Sequence, residues 1–357
     1  MIREINVMSH IYKNAILTII AGAARSADEG FLRTPECRAP LTLKSGYVLS
    51  VSITLGDEST MHRAWTFQEE LLSSRALYFG TRRGVRFNCQ RGSQFYNGET
   101  FQYSNTLDFP VRLPPNVFKM GKSKRSLSKL WVDIVKEYSQ RRLTHADDRL
   151  PALAGIASEI YQIQSDKYLA GIWQRFLVRH LGWRAIVVRP GREFPKMSMQ
   201  VISSPSWSWI SLLDKNCNDT VIDTDEVVRE SAKIVDYELE LEDKDATFGR
   251  IKSGRITLRA KLLAFSKPLL SMLMRRRRYN SDWGMETYYE TGATPESIQF
   301  QYPLLGFTAK KSAVGLVLAE RADKTFWRIG WFKLSPMAIR DYSLNLANPS
   351  LQLIVIV

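Results

Sequence analysis

The stretch Arg63-Ala-Trp-Thr-Phe-Gln-Glu-Glu-Leu-Leu-Ser-Ser-Arg75 decides how the chain is organised. No Gly or Pro interrupts it, Leu71 and Leu72 carry it on, and Ser59 or Thr60 stands where an N-cap belongs. The spacing therefore predicts a helix over about 59–73. At about 100° per residue, Met61, Ala64, Trp65, Phe67, Leu71 and Leu72 fill one apolar arc. Gln68 falls inside that arc and Glu69 at its edge beside Trp65, while Glu70 and Arg63 point the other way. An unpaired amide in a buried stripe costs about 1–3 kcal/mol, so Gln68 is expected to have partners. Gln68 and Glu69 are the most informative polar pair in the sequence.

Upstream, Ile5, Met8, Tyr12 and Ala15 sit at helical spacing, and Ile16 to Ala21 reads as a strand buried on both faces. Residues 22–36 read as a loop, and 41–44 and 47–54 as strands joined at Ser45-Gly46. Downstream, RALYFGTRRGVRFNCQ reads as a hairpin turning through Gly80 to Gly84. Residues 91–125, with Pro110, Pro114 and Pro115, read as a connection, and the basic tract GKSKRSLSK closes it as a solvated loop.

Three apolar stripes then predict helices: Leu127 to Tyr138, Leu150 to Ile160 with Asp147 or Asp148 at its start, and Ile172 to Leu181 closed by Gly182. From about 195 the texture becomes β: MSMQVIS, SWSWI, KIVDYELEL, GRITLRAKLLAF, LLGFTAK, AVGLVLAE, FWRIGWFKL and LQLIVIV. In PSWSW, a strand would place Trp207 and Trp209 on one face as a core wall. The expected class is α+β. An N-terminal partial α/β domain (1–92) leads through a loop (93–125) and a helical segment (126–194) to a β-rich region (195–357).

At 357 residues the chain can bury two cores, and its hydrophobic (45%) and charged (24%) contents are those of a globular protein. A net charge of +14 favours anionic partners, with Arg275 to Arg278 the densest run. No recognisable nucleic-acid fold accompanies that charge, so dispersed surface charge is the preferred reading and DNA binding ranks last. Cys37, Cys89 and Cys217 form neither a disulfide framework nor a zinc pattern, and His10, His62, His145 and His180 lack metal-ligand spacing. No metal and no cofactor are expected, and the sparse cysteines suit a reducing cytoplasm. Ala15 to Ala24 is too short to span a membrane and its basic flank is weak for a signal peptide.

The stretch also resembles the signature of the fungal heterokaryon-incompatibility domain, at Arg63, Trp65, Thr66, Gln68, Glu69, Leu72, Ser73 and Arg75. HIYKNAILTIIAGAARSADEGFL is similar to the segment preceding that signature, and YSQRRLTHADDRLPALAGIA, YLAGIW and PSWSW resemble the tail that follows it. The Ser-Tyr-Cys-Trp-Gly-like opening usual in the family is missing, so the domain reads as lacking its N-terminal half. The resemblance implies a module of self/non-self recognition that promotes programmed cell death through protein partners. The alternative it implies is an enzyme. The domain has been likened to Toll/interleukin-receptor domains, some of which cleave NAD with one Glu. Glu69 is then the candidate catalytic carboxylate, with NAD as substrate and Arg63 and Arg75 available to phosphate. Such chemistry needs a carboxylate beside a developing oxocarbenium ion, in a pocket sheltered from water. Against it stands a purely structural use of Gln68 and Glu69.

Overall fold

A computed structural model describes residues 2–22, 24, 28, 38–42, 48–52, 62–79, 85–89, 92–96, 101–104, 124–187, 197–198, 204–212, 220–224, 227–265, 284–287, 289–290, 299–341 and 351–357. Helices and a large sheet share the chain, which is of the α+β class. It divides into two units, residues 1–163 and 164–357. The division falls inside the stretch 126–194 that the sequence presents as one helical segment. Cys37, Cys217, Arg275 to Arg278 and the turns at 45–46 and 80–84 lie outside the described residues.

Unit 1 opens with α1 (Ile2–Asn14), on the predicted stripe, followed by β1 (Thr18–Ile20). β2 (Arg38–Thr42) and β3 (Val48–Ser52) form the expected antiparallel hairpin. The signature helix is α2 (Ala64–Leu72), followed by β4 (Arg75–Phe79) and β5 (Val85–Cys89). The connection expected over 91–125 instead begins with two more strands, β6 (Gly92–Tyr96) and β7 (Phe101–Ser104). Their polar–aromatic alternation continues the hairpin before the prolines arrive.

The sheet runs β1-β4-β5-β6-β7, with β1 parallel to β4 and the other pairs antiparallel. β1 is not buried on both faces as expected: Thr18 and Ile20 are buried, but Ile19 is 57% exposed. It ends the sheet, and only its inner face, where Ile20 meets Ala76 and Tyr78, finds a core.

Helix α3 (Lys124–Ser139) starts within the basic tract, which is therefore helix from Lys124 onward rather than loop. Its stripe buries Leu127, Leu130, Trp131, Ile134 and Tyr138. Helix α4 (Ala154–Gln164) buries Ile156, Ala157 and Ile160. Asp147 and Asp148 do not open α4. They lie in a separate 3-10 turn (Ala146–Asp148), and a second turn at Pro151–Leu153 intervenes because proline suits the first turn but not a helix interior.

Unit 2 starts with a tight hairpin, β8 (Tyr168–Leu169) and β9 (Ile172–Trp173), in the motif YLAGIW. The third predicted helix is thus mostly strand and 3-10 turn, and α5 is only Leu177–His180. β10 (Trp183–Val187) pairs with β12 (Thr220–Thr224), and β11 (Met197–Ser198) with β17 (Tyr289–Glu290). The main sheet is built from β13 (Arg229–Glu230), β14 (Lys233–Leu241), β15 (Ile251–Leu262), β16 (Gly284–Thr287), β18 (Phe300–Gln301), β19 (Pro303–Phe307), β20 (Ala313–Glu320), β21 (Phe326–Leu334) and β22 (Leu351–Ile356). Its order is β13-β19-β15-β22-β21-β20-β18, with β14 on β15 and β16 on β21.

PSWSW is not a strand: residues 205–208 turn and Trp209–Leu212 is a 3-10 helix. Both tryptophans are nevertheless core, Trp207 at 1% and Trp209 at 2% exposure. The turn lets each buried donor find an acceptor, as buried polar groups require. Trp207 Nε1 donates to the Gly254 carbonyl at 3.3 Å and Trp209 Nε1 to Gly171 at 2.9 Å. Ser208 Oγ donates to Ala170 at 2.5 Å, and Trp183 Nε1 donates to the Trp207 carbonyl at 2.9 Å. The YLAGIW turn thus seats PSWSW. Both of its central residues have positive φ, Ala170 at 46° and Gly171 at 88°, the geometry a tight hairpin turn asks for.

A β-carbon on Gly171 would sit 2.8–3.0 Å from the Trp209 indole. Gly171→Ala is therefore expected to destabilise unit 2 by about 2–3 kcal/mol in urea unfolding, from backbone strain plus displacement of the indole. Ala170→Gly, which relieves the same strain, is expected to be neutral or stabilising by about 0.5–1 kcal/mol.

Candidate functional site

Helix α2 is short and buried on nearly every side. Ala64, Thr66, Phe67, Gln68, Glu70, Leu71 and Leu72 are all buried. Its N-cap is Arg63, with no side-chain cap, and Ser59 and Thr60 lie outside the described residues. The backbone after α3 serves instead: Ala64 N–H donates to the Arg142 carbonyl at 2.9 Å, and Arg142 N–H to His62 at 2.5 Å. Thr66 Oγ1 donates back to the Arg63 carbonyl at 2.8 Å.

Glu70 does not point to solvent as expected. Its side chain is wholly buried and pairs with Arg141 Nη2 at 3.0 Å. The same guanidinium reaches Thr66 Oγ1 at 3.2 Å through Nη1 and lies 4.6 Å from the Phe67 ring centroid. Phe67 in turn meets the Tyr138 ring at 5.9 Å, and the Tyr138 hydroxyl donates to the Arg149 carbonyl at 2.6 Å. Burial pushes the Tyr138 and Tyr78 hydroxyls far up, with the Glu70 charge adding to the effect at Tyr78. Arg141 lies in YSQRRLTHADDR, so the two separated motifs meet in one buried ion pair. The signal for it was a polar stripe, Thr66, Glu70 and Ser73 at i, i+4 and i+7, opposite the apolar arc.

Ser73 ends the helix and ties it to the sheet edge. Its hydroxyl lies 2.5 Å from the Glu69 carbonyl and 2.7 Å from Thr18 Oγ1. Arg75 is exposed and donates to the Ile16 carbonyl at 3.4 Å. Arg63 is also exposed. The nine residues of α2 between them span about 14 Å, so the two arginines do not converge on one phosphate.

Gln68 is fully buried, as the arc required. Its Nε2 contacts Met8 Sδ at 3.7 Å, and its Oε1 has no hydrogen-bond partner among the described residues. That oxygen faces Gly155 on α4, where a β-carbon would approach it to 2.8 Å. Trp65 is half-buried and Leu72 buried. Glu69 is half-buried and hydrogen-bonded by the Tyr12 hydroxyl of α1. Burial raises its carboxyl above the ordinary value. The Glu70 charge adds to this, and Tyr12, Arg63 and Arg141 offset part of it. The Tyr12 hydroxyl is pushed up to about 12 by burial and by the same carboxylate.

In unit 2 a cleft of about 570 Å³ is bordered by Glu238, Glu240, Ser253, Arg255, Arg321 and Trp327. Its charges are engaged across β14 and β15, where Glu238 pairs with Arg255 and Glu240 with Lys252 at 2.7 Å. His180 is buried against Phe176, and burial, helped by Arg179, lowers it to about 3, so it stays neutral as a core residue. Among the described residues no group of three or more His, Cys, Asp or Glu is placed to hold a metal, and no helix is long and apolar enough to cross a membrane.

Comparison with models of protein families, with curated proteins and with solved structures finds no match to the chain.

Because Glu69 is raised in the folded state, its protonated form favours folding. That stability is fully present below the ordinary carboxylate value of 4.5 and is lost as pH rises through the folded value. Wild type should therefore lose stability relative to Glu69→Gln as pH is raised from the ordinary carboxylate value of 4.5 to neutrality, measured as urea midpoints. A constant difference across that range would contradict the assignment.

Proposed function

We propose that the chain is a non-enzymatic signalling module of the heterokaryon-incompatibility kind. It would act in fungal self/non-self recognition and promote cell death through cytoplasmic protein partners. One observation carries this reading: Thr66, Gln68 and Ser73 of the signature, with the neighbouring Glu70, are buried inside the protein. Thr66 and Glu70 bond Arg141, Ser73 contacts Thr18, and Gln68 contacts Met8. The signature then acts as a frame that holds three helices and a sheet edge, as a module working by association requires. Its resemblance to the family signature supports the same reading.

Glu69 favours the second reading, an NAD glycohydrolase. It is the signature carboxylate left half-buried, and its lowered acidity, a consequence of burial, suits a group sheltered from water. Its partner Tyr12, however, already occupies the carboxylate.

Induced expression in fungal cells separates the two readings. The module predicts toxicity that survives Glu69→Ala, with no nicotinamide released when purified protein is incubated with NAD. Release that disappears in Glu69→Ala but persists in Lys129→Ala, a change at an exposed position of α3, would establish the enzyme instead. Glu70→Ala is unsuitable as the control, because it leaves Arg141 buried without its counter-ion.

A further inference from the structure

The described side chains of helix α1 meet Gln68 and Glu69 through polar contacts. Of its described side chains, residues 8–14, Ser9 alone is buried, and Ile11 is 58% exposed. Its attachments are the Tyr12 hydroxyl on Glu69, Met8 Sδ on Gln68, and Lys13 Nζ on Glu159 of α4 at 2.8 Å. The lysine of that last pair is half exposed, which weakens it. Beneath lies the buried amide oxygen of Gln68, without a partner among the described residues, in a seam formed by Met8, Ser9 and Gly155. A buried acceptor left unmet is a cost borne only while the seam stays shut, because water satisfies it once the seam opens. A segment that buries as little apolar surface as the described side chains of residues 8–14 belongs to the less stable part of a fold.

We propose that α1 is a releasable cover. Its departure exposes the Gln68 amide and the Glu69 carboxylate as a docking face for a protein segment that brings N–H donors. Gln68 Oε1, without a partner among the described residues, and the Glu69 carboxylate are both acceptors. A partner segment supplying backbone N–H groups meets the Gln68 oxygen that the described side chains of α1 leave unmet. The signature residue that looks least suited to a core is thereby the one that keeps the cover loose. The docking role rests on the signalling reading; the loose seating of α1 does not.

Hydrogen exchange of the full chain, read by mass spectrometry, tests this. Amides of α1 are expected to exchange at least about tenfold faster than those of α2 and α3. Gln68→Leu, which replaces the unmet amide with an apolar side chain, should slow α1 by about tenfold and leave β14 and β15 unchanged. Tyr12→Phe, which removes the bond to Glu69, should speed α1 further and serves even if Gln68→Leu fails to fold. Exchange of α1 in step with α2 and α3, or an unaltered α1 rate in Tyr12→Phe, overturns the proposal. Early exchange of α1 in a protein harmless to fungal cells would uphold the release and count against the signalling reading, so the two fail separately.

Discussion

The buried ion pair between Glu70 and Arg141 is the constraint on which unit 1 depends. Neither side chain is more than 5% exposed, so both charges have given up their water and rely on each other, on Thr66 and on the Phe67 ring. A pair of this kind is a poor source of net stability, but losing one partner costs about 3–5 kcal/mol. It therefore fixes where α2 lies against the turn after α3. The position of α2 then sets everything attached to it: Ser73 brings in β1, and Gln68 and Glu69 receive α1.

Two adjacent glutamates thus have opposite environments. Glu70 faces inward, where an arginine holds it as a structural anion. Glu69 is turned about 100° away on the helix, reaches the border of the core, and is met by a hydroxyl rather than a cation. One position builds the frame and the next stays adjustable. This division explains why chemistry or recognition, if it occurs here, belongs to Glu69 and to the α1 seam.

Much of the fold was legible where periodicity was undisturbed. KIVDYELEL, AVGLVLAE and FWRIGWFKL are strands over the residues the alternation marks, and the α3 stripe is core throughout. The burial of Gln68 was legible as well, because it sits in the middle of an apolar arc. The burial of Glu70 was not. Sequence spacing assigns faces to a helix but cannot tell that both faces of a short one will be covered, nor that the counter-ion comes from 71 residues away. PSWSW misleads for a related reason: its alternation fits a strand, but its donors Trp207, Ser208 and Trp209 need acceptors in several directions, which a turn supplies. The composition of β1 suits a doubly buried strand, whereas its place at the end of the sheet is a property of topology.

A double-mutant cycle on Glu70 and Arg141 tests the central claim most directly, using Glu70→Gln, Arg141→Met and the pair in urea unfolding. If the ion pair organises unit 1, the double variant should be less damaged than the sum of the singles, with a coupling of about 2–3 kcal/mol. Single effects that add to within about 0.5 kcal/mol would show that the two side chains act independently, and would contradict the account.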